Sequence, residues 1–389
     1  MNPPSNILSV CTNLPSRRDP LLGLFVHRRL EKMAELANVR ALCPQPWFPF
    51  IRPRFADQPL TGSQLPVDFE DMFYLPGVAK RIDGRWLQRC VEKWLDGMDD
   101  SVSSNAVIDA HFGYPEGVGC YLAAKQRGLP CFITMRGLEI DRFRIPSVKP
   151  QLVEALSHCA GVIAVSESLR NAAVDAGVPK SNIAVIANGI DGDLFHPGDR
   201  EAARMELDQP LDGPLIVCVA NLKAVKGHEV LLKAFAALPR DLGARLVLIG
   251  SASDVSAVQQ IDLLIASLGC EDLVFKIGAR PPDEVAVWLQ AANVFALASH
   301  REGCCNAVLE ALATGTPVVA TSVGSNPQEI RDAIEGYVVS PGDHQAFAVA
   351  LEKSLEKDWD ASQISSRMDG RTWSGVANSV LQFMSSRNG

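Results

Sequence analysis

No apolar run in the 389-residue chain is long enough to span a bilayer. The start offers no secretory leader either, because Ile7-Leu8-Ser9-Val10-Cys11 gives way at once to Thr12-Asn13-Leu14-Pro15-Ser16-Arg17-Arg18. The ten cysteines are scattered, with no C-x-x-C and no grouping with histidine at zinc-ligand spacing. They read as small buried hydrophobes of a reducing compartment rather than as disulfides or a metal site. Positive charge is not in excess: 37 Lys+Arg against 45 Asp+Glu give a formal net charge of -8, which argues against a general nucleic-acid binder. No Asp-x-Asp of the metal-binding type stands out. What remains is a cytoplasmic protein whose length and 47% hydrophobic content suffice for two domains with full cores.

The chain alternates strand and helix from end to end, which implies α/β layers with parallel sheets. Residues 7–11, 39–43, 106–112, 131–135, 161–165 and 183–186 read as strands in the first half. Residues 215–220, 245–250 and 274–278 restart the pattern in the second. Residues 25–36 form an amphipathic helix entered through Gly23, and Ser166 is placed to cap another. Residues 44–75 read as one irregular, aromatic-rich loop, functional or partner-facing rather than idle. The helix predicted over 80–95 turns Ile82, Trp86, Leu87, Val91, Trp94 and Leu95 inward, while Arg81, Arg85, Arg89 and Lys93 recur every four residues as a basic stripe. A solvated face is one reading. A patch for anionic lipid or a polyprenyl phosphate is the other, each cation adding about 1 kcal/mol near a charged surface.

The most informative stretch runs from Ser299 to Ala320. Apolar runs 294–298 and 317–320 flank it, and Ala307, Val308, Ala311 and Leu312 repeat with helical spacing. Two carboxylates remain, Glu302 and Glu310, roughly 12 Å apart along the axis if the helix begins near Glu302. An extended sugar nucleotide can place a sugar hydroxyl at one and a ribose hydroxyl at the other. Gly303 and the helix N-terminus then offer backbone N–H groups to a diphosphate. Taken singly, either Glu is a favourable acid at a helix start or a solvated surface residue.

This stretch resembles the E-x7-E segment of GT-B-fold retaining glycosyltransferases of family 4, which runs Pro-Ser-x-x-Glu-Gly, six variable residues, then Glu-Ala-x-Ala-x-Gly-x-Pro-Val-Val. Asn188-Gly189-Ile190-Asp191 with Phe195 and Pro197 is similar to the family's hinge signature, Ala187 replacing its first proline. Residues 221–227 match its Gly-Arg-Leu-x-x-x-Lys-Gly at Lys226-Gly227, with Asn221 in place of arginine. Gly324 to Glu329 is a divergent form of its Gly-Gly-x-Pro-Glu. The likeness covers almost the whole chain.

The resemblance implies two Rossmann-like domains with parallel sheets facing across a cleft. It assigns residues 1–197 to the acceptor, 198–370 to the nucleotide sugar, and 371–389 to a helix returning to the first domain. It further implies retaining, metal-independent hexosyl transfer from a nucleotide-diphosphate sugar, UDP by default, with no cofactor. The acceptor would be lipid-linked or a saccharide, in surface polysaccharide or glycolipid synthesis, with possible peripheral contact on the inner face of the membrane. Glu302, Lys226, His111 and Arg136 are then the catalytic candidates. Glu310, Lys226, Asn221, Gly303, Cys304, Cys305, Asn306 and Gly278 surround the donor, with Glu302 on the sugar, Glu310 on the ribose and Gly278 by the base. Gly23, Arg17 and Arg18 form the acceptor-side loop, and Arg136, Arg17 or Arg18 are the nearest replacements for the missing arginine. Two other readings stand beside this one. One is a GT-B-fold sugar-nucleotide epimerase; the other is a donor-binding protein without turnover, suggested by Asn221, Arg136 and Gln328.

Overall fold

The structure, a computed structural model, describes residues 4–49, 57–75, 80–252 and 254–387. They gather into two compact units, Met1–Gly189 with Trp373–Gly389 and Ile190–Thr372.

The first unit holds a seven-stranded sheet in the order β3-β2-β1-β4-β5-β6-β7. Its strands are β1 (Asn6–Val10), β2 (Asn38–Trp47), β3 (Val67–Phe73), β4 (Ala106–His111), β5 (Cys131–Met135), β6 (Gly161–Ala164) and β7 (Ile183–Val185). Every pairing is parallel. β4, β5 and β6 are buried along their whole length, as expected of strands covered by helices on both faces. The order turns back on itself between β1 and β4, so the ligand crevice of this unit lies beyond their C-terminal ends. Gly23, which opens the helix Leu24–Ala34, has φ +66°, and a Cβ there would sit 2.0 Å from the Asn13 carbonyl oxygen. Only glycine lets that helix start against the loop after β1.

Residues 44–75 are not one irregular loop. β2 runs on to Trp47 and β3 pairs with it from Ala41↔Val67 to Trp47↔Phe73. The two prolines that argued for a loop are tolerated for a parity reason. The Leu42 carbonyl faces β1 and the Ala41 N–H faces β3, so Pro44 and Pro46 face the β1 side as Leu42 does. The β1 pairing ends at Val10↔Leu42, and no ladder partner is lost there. Phe50 and residues 51–56 of that stretch lie outside the described residues.

The helix Trp373–Arg387 packs in the first unit, burying Trp373, Val376, Ala377, Val380, Leu381 and Met384 in a core shared with β1, β4 and β5. Phe383 stands edge-on to Phe132 at 5.8 Å. The units divide before Ile190, earlier than the boundary expected after Pro197. Ile190 and Phe195 belong to the second unit's core, and the Ile190 N–H donates to the Arg371 carbonyl at 2.8 Å.

The second unit has six parallel strands in the order β10-β9-β8-β11-β12-β13. They are β8 (Leu215–Val219), β9 (Arg245–Ile249), β10 (Val274–Gly278), β11 (Val294–Leu297), β12 (Val318–Thr321) and β13 (Gly336–Val339). Here the order turns back between β8 and β11. The loops that follow those two strands carry Lys226 and Glu302.

Candidate active site

In the second unit the two loops at the turning point are pressed together by glycines. Gly227 has φ +64°, and a Cβ there would lie 2.0 Å from the Ala298 carbonyl oxygen. The His300 N–H donates to the Val225 carbonyl at 2.9 Å. On the other flank Gly324, φ +59°, would bring a Cβ to 2.6 Å from the Gly303 carbonyl oxygen. Residues 299–303 are therefore fixed from both sides, and their side chains project from a rigid support.

That support brings Lys226 and Glu302 together. Lys226 Nζ donates to Glu302 Oε1 at 2.7 Å, and Ser299 Oγ donates to the same oxygen at 2.7 Å. Ser299 is itself held by Thr321 Oγ1, which donates to its carbonyl at 2.5 Å. Burial pulls the Lys226 ammonium towards neutrality, but the charge and hydrogen bond of Glu302, together with Cys305 and Cys218, hold the pKa above its ordinary value. Lys226 is a cation with three N–H donors, of which Glu302 uses one.

The helix after this loop begins at Asn306, not near Glu302. Cys305 is its extended N-cap residue, and the helix runs Asn306–Ala313. Glu302 thus lies in the clamped loop while Glu310 sits partly buried within the helix, so the axial spacing expected for one continuous helix does not apply. Gly303 and Cys305 are buried, and Cys304 and Asn306 partly so. Asn221 is exposed, and its side-chain oxygen accepts from the Ser251 N–H at 3.2 Å and Ser251 Oγ at 2.9 Å. Gly278 ends β10 at φ +77°, where the β9–β10 register shifts. Glu329 of the 324–329 motif pairs with Arg371 at 2.5 and 2.9 Å, tying that turn to the segment leaving the unit.

In the first unit His111 and Arg136 meet at the ends of β4 and β5. Arg136 Nε and Nη2 lie 3.2 and 2.9 Å from His111 Nδ1, and Arg136 Nη1 donates to Asn188 Oδ1 at 3.3 Å. His111 is fully buried. Its expected place facing a ligand is therefore corrected: its neighbour Arg136, partly exposed, is the group on the surface side. Glu139, at 1% exposure, accepts from the N–H groups of Gly113, Arg136 and Gly137 at 2.6, 3.1 and 2.8 Å, fixing the loop that carries Arg136. Arg17 and Arg18 lie exposed on the loop beyond β1. Arg29 and Asp109, missed in the sequence, join His111 in the interior; Glu116, also missed, bonds Thr12, and burial pushes its pKa up to about 7.

Two Asp-x-Asp triplets do occur, Asp191-Gly192-Asp193 and Asp358-Trp359-Asp360. Asp360 caps a helix through the Gln363 N–H at 3.0 Å, and among the described residues no cluster of three or more His, Cys, Asp or Glu could hold a metal. All ten cysteines are free thiols. No helix of the described residues is long and apolar enough to cross a membrane.

Residues 199–369 match the family model for glycosyl transferases group 1, and residues 75–194 match that for Glycosyltransferase Family 4. The chain belongs to the GT-B-fold glycosyltransferases of family 4. It is similar to the D-inositol 3-phosphate glycosyltransferase of Corynebacterium aurimucosum, 38% identical over 184 residues that cover 46% of this chain and 44% of that protein. The chain thus spans less than half the length of that relative in the matched region. D-inositol 3-phosphate glycosyltransferase 1 of Catenulispora acidiphila is 27% identical over 72% of this chain and 71% of its own. Among solved structures, the Anabaena HepE protein in complex with UDP and glucose superposes with a TM-score of 0.77 at 19% identity, covering 98% of this chain and 99% of that one. Sucrose-phosphate synthase from Thermosynechococcus elongatus gives the same score and identity over 98% of both chains.

Proposed function

We propose that the protein transfers a hexosyl unit from a nucleotide-diphosphate sugar to a lipid-linked or saccharide hydroxyl acceptor, with retention and without a metal. The observation that carries this reading is the Lys226–Glu302–Ser299 cluster at the turning point of the second sheet. Glu302 spends Oε1 on Lys226 and Ser299, which leaves Oε2 for a donor-sugar hydroxyl. Lys226 keeps two N–H donors for the departing diphosphate, where a preorganised charge acts most strongly. Glu310 takes the ribose, and Arg136 is the cation that the first unit contributes. UDP is the donor base favoured by the UDP-glucose complex of the HepE protein. Retention and metal independence come from the family resemblance, and are tested by the anomeric configuration of product and by turnover in chelator.

A thermal-shift panel of UDP-, GDP- and ADP-sugars tests the donor. The right one at a hundred times its dissociation constant should stabilise the protein by about 2.7 kcal/mol. Glu310→Gln should weaken nucleotide binding, whereas Glu302→Gln should slow turnover with little effect on free nucleotide. Equal loss of nucleotide affinity in both would refute these roles. Release of nucleotide diphosphate only with acceptor present separates transfer from epimerisation, and the relatives' names put an inositol phosphate on the acceptor panel.

The lipid-facing reading rests on the helix Asp83–Asp96 and the turn before it, where Arg81, Arg85 and Arg89 are exposed. No bonding partner is recorded for their side chains among the described residues. Lys93 is less available, bonded to Glu70 at 2.7 Å. Trp86 packs against Phe73 at 5.0 Å, so the aromatic end of β3 adjoins the stripe. On this reading the working protein would sit on the inner face of the membrane, making surface glycolipid or polysaccharide. Arg85→Glu with Arg89→Glu should abolish salt-sensitive binding to anionic vesicles. Unchanged partitioning would return the helix to a solvated face.

A further inference from the structure

Arg29 and Asp109 lie outside every motif that led to the site, yet they form the buried base on which His111 and Arg136 rest. Arg29 Nη2 donates to both Asp109 oxygens at 2.8 Å, and its Nη1 donates to Thr134 Oγ1 at 2.9 Å. Asp109 Oδ2 lies 3.1 Å from His111 Nε2, and Arg136 approaches His111 from the opposite side through Nδ1. An arginine has donors only, so Nδ1 must supply a lone pair. The ring proton then sits on Nε2 and is donated to Asp109. A second proton on Nδ1 would point at the guanidinium, so the ring stays neutral.

Both ring nitrogens are thus occupied, and the residue is 0% exposed. His111 has no lone pair or proton left for a substrate. Asp109 is balanced by Arg29, so the quartet carries a net charge of +1, which lies on Arg136 with the Glu139 carboxylate beside it on the same loop. Three of the five Arg136 donors serve His111 and Asn188, which leaves two. The guanidinium also stands 5.1 Å from the centre of the Phe25 ring. Burial and the Arg29 charge pull Arg136 down to about 9, so it remains charged at neutral pH. The backbone just after His111 is unusual as well: Phe112 has φ +72°, and its N–H donates to the Thr134 carbonyl at 2.8 Å. A non-glycine residue is held in that region only where its surroundings over-determine it.

We infer that Arg29 and Asp109 are positioning residues that, through a neutral His111 fixed in its Nε2–H tautomer, present Arg136 as a cation for a phosphate-bearing substrate at the C-terminal ends of β4 and β5. The inference rests on the reading of Arg136 given above. His111 is accordingly a positioning residue and not an acid or base.

Nitrogen-15 NMR of the histidine-labelled full-length protein tests the tautomer: the His111 ring, assigned by the signals lost in His111→Gln because His228 is also buried, should show Nε2–H and stay neutral from pH 5 to 8. Kinetics test the role. Glutamine reproduces one donor and one acceptor, so His111→Gln should hold kcat within about fivefold, while His111→Leu and Asp109→Asn should each lower it by roughly 10², the loss expected for a displaced charge stabiliser. The affinity for nucleotide alone should stay within about twofold in all three. Arg29→Met should follow Asp109→Asn. An Nδ1–H or titrating ring, His111→Gln as inactive as His111→Leu, or wild-type kcat in Asp109→Asn would each overturn the inference. Wild-type turnover in Arg136→Ala would instead remove the role given to Arg136, whatever tautomer the spectrum shows.

Discussion

Lys226→Ala should lower turnover at saturating donor by roughly 10³-fold and weaken the binding of nucleotide diphosphate with it. Both effects follow from one position. The ammonium lies beyond β8, bonded at 2.7 Å to a carboxylate beyond β11, with its charge secured by that carboxylate against the pull of burial. On the proposed reading it would meet the diphosphate in the ground state, which sets affinity, and more strongly when the leaving group gains charge, which sets rate. Removing it also leaves Glu302, whose side chain is 9% exposed, with only the Ser299 hydroxyl on Oε1. Part of any loss would then come from an uncompensated carboxylate rather than from the missing cation. The double variant Lys226→Ala, Glu302→Gln separates the two, since it has neither charge. If it recovers stability but not turnover, the cation carries the rate. Isothermal titration with free nucleotide diphosphate and single-turnover kinetics read the two effects independently. Wild-type affinity in Lys226→Ala would show that the diphosphate lies elsewhere.

Much of this arrangement was legible in the sequence, and the parts that were not share a cause. The apolar runs of β5, β6, β8 and β11 declare buried parallel strands on their own. Glu302 and Glu310 were found by spacing, but the start of the helix was not. Gly324, from a distant turn, stands close against the Glu302–Gly303 backbone, a tertiary contact that no local pattern announces, and the helix begins only at Asn306. The Lys226–Glu302 bond joins residues 76 positions apart, which no local pattern reports. The prolines of β2 misled because Pro usually ends a strand; which side of the ladder they face depends on where β1 stops. The buried quartet did leave traces. Asp109 and His111 are two apart on a strand and so share a face. Arg29 interrupts the buried face of its helix between Val26, Leu30 and Met33, a charge where an apolar residue would be routine. A charged residue in such a place asks for a partner, and only the tertiary fold says that the partner is Asp109.

Arg136→Ala should reduce turnover by roughly 10²–10³ while leaving the affinity for nucleotide alone nearly unchanged. The family pattern that the sequence resembles has an arginine where this chain has Asn221, and on the proposed reading that arginine and the lysine would together meet the leaving diphosphate. Asn221 brings no charge, and its oxygen is already engaged by Ser251. Lys226 is then the one cation at the fixed positions of that motif, since Lys223 falls at a variable one. The first unit carries a compensating feature: a guanidinium held by His111, Asn188 and the Phe25 ring, with donors to spare. Because Lys226, Glu302 and Glu310 are the groups proposed to read the nucleotide, loss of Arg136 should register in kcat and not in the binding of nucleotide. Arg136→Lys keeps the charge but not the two-pronged grip on His111, and should fall between wild type and alanine. The decisive variant restores the arginine of the family: Asn221→Arg in the Arg136→Ala background should recover at least tenfold in turnover if the two positions supply the same charge. Arg17→Ala with Arg18→Ala should cost little, since both side chains lie exposed on the loop. Should Arg136→Ala retain wild-type turnover while the Arg17, Arg18 pair abolishes it, the second cation comes from the acceptor-side loop, and the buried quartet serves the fold alone.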